Sequence, residues 1–179
     1  GDRYRIHGIE VTVPEHAGLE LRYNLLRGRY ENGEADAVRK FIPAGASVIE
    51  FGGSLGIMSK VIRSKIGAAA QHIVVEANPQ LLDICRKNAD ETPSSNTQII
   101  HAAVAYGVDQ ISFQVGHNAH VGRIGTSADK ETVAVQTITL SEVAGRLHHD
   151  QAFCLVCDIE GAEFDVFDQE SSIFSRLAM

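Results

Sequence analysis

A chain of 179 residues with 44% hydrophobic side chains can bury one sizeable core, which predicts a single globular unit. Its net charge of −7, without any basic run, argues against binding nucleic acid or an anionic membrane surface. No apolar stretch reaches the roughly 18 residues that span a bilayer. The N-terminus lacks the pattern of a signal peptide, and three cysteines make no disulfide framework, so we expect a cytoplasmic protein.

The first 43 residues are expected to form a hairpin and two helices that pack on the main domain. Apolar and polar residues alternate around His7 and Gly8, which is typical of two short strands joined by a turn. Helical spacing follows on both sides of a break at Tyr30–Gly33, and Pro43 ends the second helix. The predicted elements are a hairpin over 4–13 and helices over 17–30 and 33–42.

Residues 44–179 alternate strands with helices, which predicts right-handed crossovers and a mostly parallel sheet flanked by helices. Two further apolar runs interrupt this alternation and predict an inserted β-hairpin. A short helix from Ser141 precedes the last strand, which a final helix follows. The predicted strands cover 46–51, 72–76, 97–104, 111–115, 132–138 and 153–158, and the two long helices cover 54–66 and 79–91.

The first of these strands runs into a glycine-rich turn. Glycines let the backbone approach a ligand closely, and N–H groups at the following helix start point towards it, which makes Gly52, Gly53 and Gly56 candidate binding residues. Ser54 is predicted to cap that helix and to share the site. Glu50 would be unfavourable beside a pyrophosphate but suits a ligand with an amino group and a sulfonium. The alternative for Glu50 is a carboxylate bonded only to local backbone.

The second strand ends in Glu76, at about the distance from the glycine turn at which an acid meets a ribose diol. Such a carboxylate would repel a 2′-phosphate, which argues against NADP. A strand-end acid that faces water is the alternative. NAD is disfavoured because its G-x-G-x-x-G register requires glycine where this chain has Ser54 and Ile57.

A third apolar strand is predicted to end in Asp158, and the motif around this residue makes the resemblance to one protein family specific. The chain resembles the FkbM family of S-adenosyl-L-methionine-dependent methyltransferases, from about Glu34 to the C-terminus. Glu50, Ser54 and Cys157 stand where that family commonly has aspartate, asparagine and lysine. The matching segments are Glu50–Gly56, Glu76–Pro79 and Cys157–Glu163, with Ala102–Ala105 and Val135–Leu140 between them.

This resemblance implies a Rossmann-like class I methyltransferase fold and S-adenosylmethionine as the methyl donor. It implies O-methylation of a small-molecule hydroxyl, on a sugar or a secondary metabolite. The cofactor-binding residues are then expected to be Glu50, Gly52, Gly53, Ser54, Gly56, Glu76, Ala77 and Ala103. An NAD-dependent oxidoreductase and a non-catalytic nucleotide-binding module remain as alternatives.

Asp158 is the candidate catalytic residue, because it ends a strand beside the ligand crevice and a hydroxyl acceptor benefits from a general base. Its alternative role is to bind the methionine amino group or the acceptor. For Glu160 and Glu163 the structural alternative is that they bind the turn and the start of the next helix, as carboxylates do at helix starts. The loop with His117, His120 and Arg123 is expected to lie on the substrate side, and no metal site is predicted.

Cys154 and Cys157 form a C-x-x-C within a strand, where residues three apart point to opposite faces. We therefore expect two core thiols rather than a metal site or a disulfide. The family's sheet normally continues beyond the fourth strand, so the last strands are expected to be lacking here. The outer edge of 153–158 would then be covered by a second copy in a homodimer, by the N-terminal segment, or by residues absent from this chain.

Overall fold

The computed structural model describes residues 1–15, 17–89, 95–115, 123–124, 132–148, 151–159 and 161–178, with the backbone alone at 123–124. Its strands are β1 Asp2–Ile6, β2 Ile9–Val13, β3 Ser47–Phe51, β4 His72–Glu76, β5 Thr97–His101, β6 Ala103–Val104, β7 Gln110–Gln114, β8 Arg123–Ile124, β9 Thr132–Ile138 and β10 Phe153–Cys157. Its α-helices are α1 Leu19–Leu26, α2 Asn32–Phe41, α3 Ile57–Ile66, α4 Leu82–Ala89, α5 Leu140–Ala144 and α6 Glu163–Gln169, and a 3₁₀ helix covers Ile173–Arg176.

Four strands form a parallel sheet in the order β10-β3-β4-β5. Every residue of β3 and β4 is buried, as expected for central strands covered on both faces. Helices α2 and α3 pack on one face through Val48 and Ile62. Helices α5 and α6 cover the other through Phe51 and Val166. This three-layer arrangement confirms the predicted Rossmann-like fold.

The two cysteines of the C-x-x-C lie on opposite faces of the sheet, as predicted. Cys154 belongs to the core beneath α2 and α3, and Cys157 packs against the core beneath α5 and α6. All three cysteines of the chain are free thiols. Neither a shared metal nor a disulfide between these two residues fits that geometry.

The inserted hairpin is confirmed, since β7 and β9 pair antiparallel in a second small sheet with β6 and β8. The single strand predicted over 97–104 is divided in two. Strand β5 pairs with β4 up to His101, and the Ala102 N–H then donates to the Glu76 carbonyl oxygen at 3.2 Å. After that bond the chain leaves the central sheet, and Ala103–Val104 pairs with β9.

The N-terminal segment forms the predicted hairpin and two helices and packs on the start of α3 and on α4. Its core contacts include Val11 and Leu25 against Leu55 and Ile57. The buried amide of Asn88 adds three hydrogen bonds. It donates to the carbonyl oxygens of Thr12 (2.8 Å) and Leu55 (2.7 Å), and it accepts from the Thr12 N–H (2.8 Å). One side chain thus joins the hairpin, α4 and the glycine turn.

Strand β10 lies at the edge of the central sheet. In the described residues no strand of the N-terminal segment pairs with this edge, although α2 packs on the adjoining face of the sheet. Instead, the Ala178 N–H donates to the Phe153 carbonyl oxygen at 2.8 Å, and Leu177 bridges to Phe153 in parallel. Coverage by a second copy stays a prediction. In the described ranges, no helix has the length and apolar character needed to cross a bilayer.

Candidate functional site

The glycine turn after β3 is held against the end of β10. The Asp158 N–H donates to the Phe51 carbonyl oxygen at 2.9 Å, which brings the two chain segments into contact. Gly52 has a φ of +90°, and a Cβ on it would lie 2.0 Å from the Asp158 carbonyl oxygen. No residue with a side chain fits there without moving one of the segments, so the sequence needs glycine at this position.

The rest of the turn packs against β4 and α4. A Cβ on Gly53 would lie 2.5 Å from Val74 Cγ1, and one on Gly56 would lie 2.6 Å from the Cys85 carbonyl oxygen. Gly56, with a φ of +74°, is the N-cap of α3. The prediction that Ser54 caps this helix is therefore wrong. Ser54 has a φ of +46° within the turn, because the close approach of α4 delays the helix start.

Glu76 is buried and supports the turn. Its two carboxylate oxygens accept hydrogen bonds from the N–H groups of Ser54 and Asn78, both at 2.6 Å. Burial raises the pKa of Glu76, and these two donors act in the opposite direction. Its side chain does not face water, so the alternative of a strand-end acid exposed to solvent is wrong. Each oxygen has a further lone pair with which to accept a ligand hydroxyl.

Glu50 is turned into the protein. Ser59 Oγ donates to one carboxylate oxygen at 3.0 Å, and His72 Nε2 to the other at 2.8 Å. Glu50 and His72 are 2% and 0% exposed. The alternative of local backbone bonding is therefore wrong as well, since both partners are side chains. Sequence reasoning missed them, although a histidine opening an apolar strand and a serine on an apolar helix face were visible signals.

A cleft opens beside the turn, between the carboxyl ends of β3 and β10. Its lining includes five of the predicted site residues, namely Glu50, Gly52, Gly53, Ser54 and Asp158. The other four, Gly56, Glu76, Ala77 and Ala103, lie outside its described lining. Ala77 packs against the apolar cluster that contains Ala103, so these two residues are brought together beyond the end of β4.

The N-terminal segment supplies a wall of this cleft that sequence reasoning missed. Tyr30, Glu31 and Glu34 line it. The Tyr30 side chain interacts with those of Glu31 and Ser54. Burial raises the pKa of Glu31 to about 7; the nearby Tyr30 hydroxyl acts in the opposite direction, and the negative charges of Asp158, Glu34 and Glu50 add to the increase. Four carboxylates and no described lysine, arginine or histidine line the cleft, so its field favours a cation.

Some predicted residues lie outside what the structure describes. His117, His120 and Glu160 are in the gaps, and only the backbone of Arg123 is given. Glu163 accepts a hydrogen bond from the Gly161 N–H at 2.8 Å, which confirms its role in the turn before α6. Among the residues that are described, no group of three or more His, Cys, Asp or Glu side chains could hold a metal ion.

Comparison with known proteins agrees with this geometry. The domain model described as Methyltransferase FkbM domain matches residues 45–179, which include the sheet, the glycine turn and Asp158. No match was found among curated proteins or solved structures. Because the match covers most of the chain, this protein belongs to the FkbM methyltransferase family.

Proposed function

We propose that this protein is an S-adenosylmethionine-dependent methyltransferase that methylates a hydroxyl group of a small molecule. The observation that carries the proposal is the cleft beside the glycine turn at the carboxyl ends of β3 and β10. Ligands of open α/β sheets bind at that end of the strands. In a methyltransferase family, a cleft in this position is the natural place for the methyl donor.

The residues present fit S-adenosylmethionine. The backbone at Gly52 is packed so closely that only a hydrogen fits on the side facing Asp158, which holds the glycine turn against the end of β10 beside the cleft. Its acidic lining complements a sulfonium and an ammonium group. Glu76 is assigned to the ribose hydroxyls, and Ala77, which packs against the buried cluster of Ala103, to the adenine end. When bound, S-adenosylmethionine supplies an electrophilic methyl group.

The protein's part in the chemistry is to orient the acceptor and to take up its proton. Asp158 is exposed, directly follows β10 and lines the cleft. A carboxylate in that position can accept the proton of a hydroxyl that enters from solvent. Holding the hydroxyl in line with the methyl group would remove much of the barrier by positioning alone. We therefore assign Asp158 as the general base.

Calorimetry with S-adenosylmethionine, S-adenosylhomocysteine and NAD tests the cofactor. We expect the two sulfur ligands to bind and NAD not to, because a pyrophosphate would meet the acidic lining of the cleft. Binding of NAD alone would overturn the proposal in favour of an oxidoreductase. A screen for methyl transfer to hydroxylated metabolites then tests the reaction. Binding without transfer to any acceptor in that screen would favour a binding module.

A further inference from the structure

Three residues other than glycine have a positive φ in the described part of the chain, and they are physically connected. They are His7 (51°), Glu31 (48°) and Ser54 (46°). This left-handed conformation is uncommon for residues with a side chain. The His7 Nε2–H donates to the Tyr30 carbonyl oxygen at 2.6 Å, and the Tyr30 side chain interacts with those of Glu31 and Ser54. The hairpin turn, the start of α2 and the glycine turn are thus in contact with one another at the cleft.

Among the acids of the site, Glu31 differs from Glu50 and Glu76. Both carboxylate oxygens of Glu50, and both of Glu76, accept hydrogen bonds from other groups of the protein. Glu31 is half-buried and lines the cleft, with the Tyr30 side chain beside it. Tyr30 and Ser54 line the same cleft and interact, so one side chain lies between Glu31 and the glycine turn.

We propose that Glu31 binds the ammonium group of the methionine part of the ligand, and that Tyr30 is the residue that positions it. This inference rests on the proposed function. It gives Glu31 the task that the sequence suggested for Glu50, whose carboxylate is engaged by Ser59 and His72. Glu31 precedes the residues matched by the family domain, so part of the cofactor site comes from the N-terminal segment.

The electrostatics of the cleft support this assignment. Glu31 faces Asp158, Glu34 and Glu50, and these negative charges together with burial make its own ionisation unfavourable without a nearby cation. An ammonium group beside Glu31 would relieve that repulsion. Ligand binding and ionisation of Glu31 should therefore favour one another.

Calorimetry at pH 8 with two probes tests the contact directly. The probes are S-adenosylhomocysteine and its deaminated analogue, which keeps the carboxylate but lacks the amino group. We expect Glu31→Gln to weaken binding of S-adenosylhomocysteine about tenfold, the scale of one charge-assisted hydrogen bond. Its affinity for the analogue should stay within about twofold of the parent's. Tyr30→Phe should give a smaller loss with the same selectivity for the amino group.

Asp36→Asn is the matched control, because Asp36 is an acid on the same helix with a side chain that is 80% exposed. It should leave both affinities unchanged. If Glu31→Gln weakens both probes equally, Glu31 is only structural and the inference is wrong. If that variant does not fold, Glu31→Asp, which keeps the charge, must retain the preference for the amino group. Failure of the parent to bind S-adenosylhomocysteine would overturn the proposed function itself, whereas equal binding by parent and Glu31→Gln would overturn only this inference.

Discussion

Replacing Asn88 with alanine should cost more stability than any other single change to a polar side chain in the N-terminal interface. The Asn88 amide is 1% exposed and makes three hydrogen bonds to backbone groups of Thr12 and Leu55. A buried hydrogen bond contributes about 0.5–1.5 kcal/mol, and a buried partner left without one costs about 1–3 kcal/mol. Because three such bonds are lost and partial hydration will compensate some of them, we expect a decrease of about 3–5 kcal/mol in the free energy of unfolding.

Urea denaturation followed by circular dichroism measures this loss, provided that unfolding of the parent is two-state. Asn32→Ala is the control, since Asn32 is exposed and donates one hydrogen bond, to the Gly28 carbonyl oxygen at 2.9 Å. It should change stability by less than about 1 kcal/mol. A loss below about 1 kcal/mol for Asn88→Ala would show that the hairpin contributes little to the stability of the core.

Four further changes test the site. Gly52→Ala should destabilise the fold by about 3 kcal/mol or more, through the clash with Asp158, whereas Gly33→Ala, with open space around its Cβ, should be neutral or stabilising in a thermal melt. Glu76→Ala should weaken S-adenosylhomocysteine binding by about 1–3 kcal/mol, and unchanged affinity in calorimetry would refute the ribose assignment. Asp158→Asn should lower turnover far more than cofactor affinity; an equal loss of both would place Asp158 in the cofactor site instead. Burial raises the pKa of Glu31 from its usual 4.5 to about 7, so the folded state binds this proton more tightly than the unfolded state does. That stabilisation is complete below the unfolded pKa and is lost as the pH rises through about 7. In urea titrations, the free energy of unfolding of Glu31→Gln should therefore change less with pH over that interval than that of the parent.

The central strands could be predicted from sequence because their signal is local. Strand β4 and strand β9 have the predicted limits, since continuous or β-branched apolar runs determine both. The starts of α3 and α4 were each predicted three residues too early. In both cases a turn occupies the space before the helix: Gly56 N–H donates to the Gly53 carbonyl oxygen, and Leu81 N–H to that of Asn78. Tertiary packing decides such boundaries, and the periodicity of the sequence does not report it.

A site residue could be predicted from the sequence only where a local pattern marks its position. Gly52 and Asp158 both follow apolar strands, and the fold rule for parallel sheets places such positions at one edge. The contacts of Glu50 with His72, and of Tyr30 with Ser54, join residues that are distant in sequence. No short-range pattern encodes them. The left-handed conformation of Glu31 is equally invisible, because the sequence there predicts only a break between helices.

The order of strands in the sheet has a consequence for how the chain folds. Strand β3 pairs with β4, its neighbour in sequence, but also with β10, which follows more than a hundred residues later. Loops of that length close slowly, so we expect β3, β4 and β5 to associate first and β10 to dock afterwards. The glycine turn could form in such an intermediate, but the cleft could not, because Asp158 arrives with β10. Ligand binding would therefore report completion of the final folding step rather than the early collapse of the core.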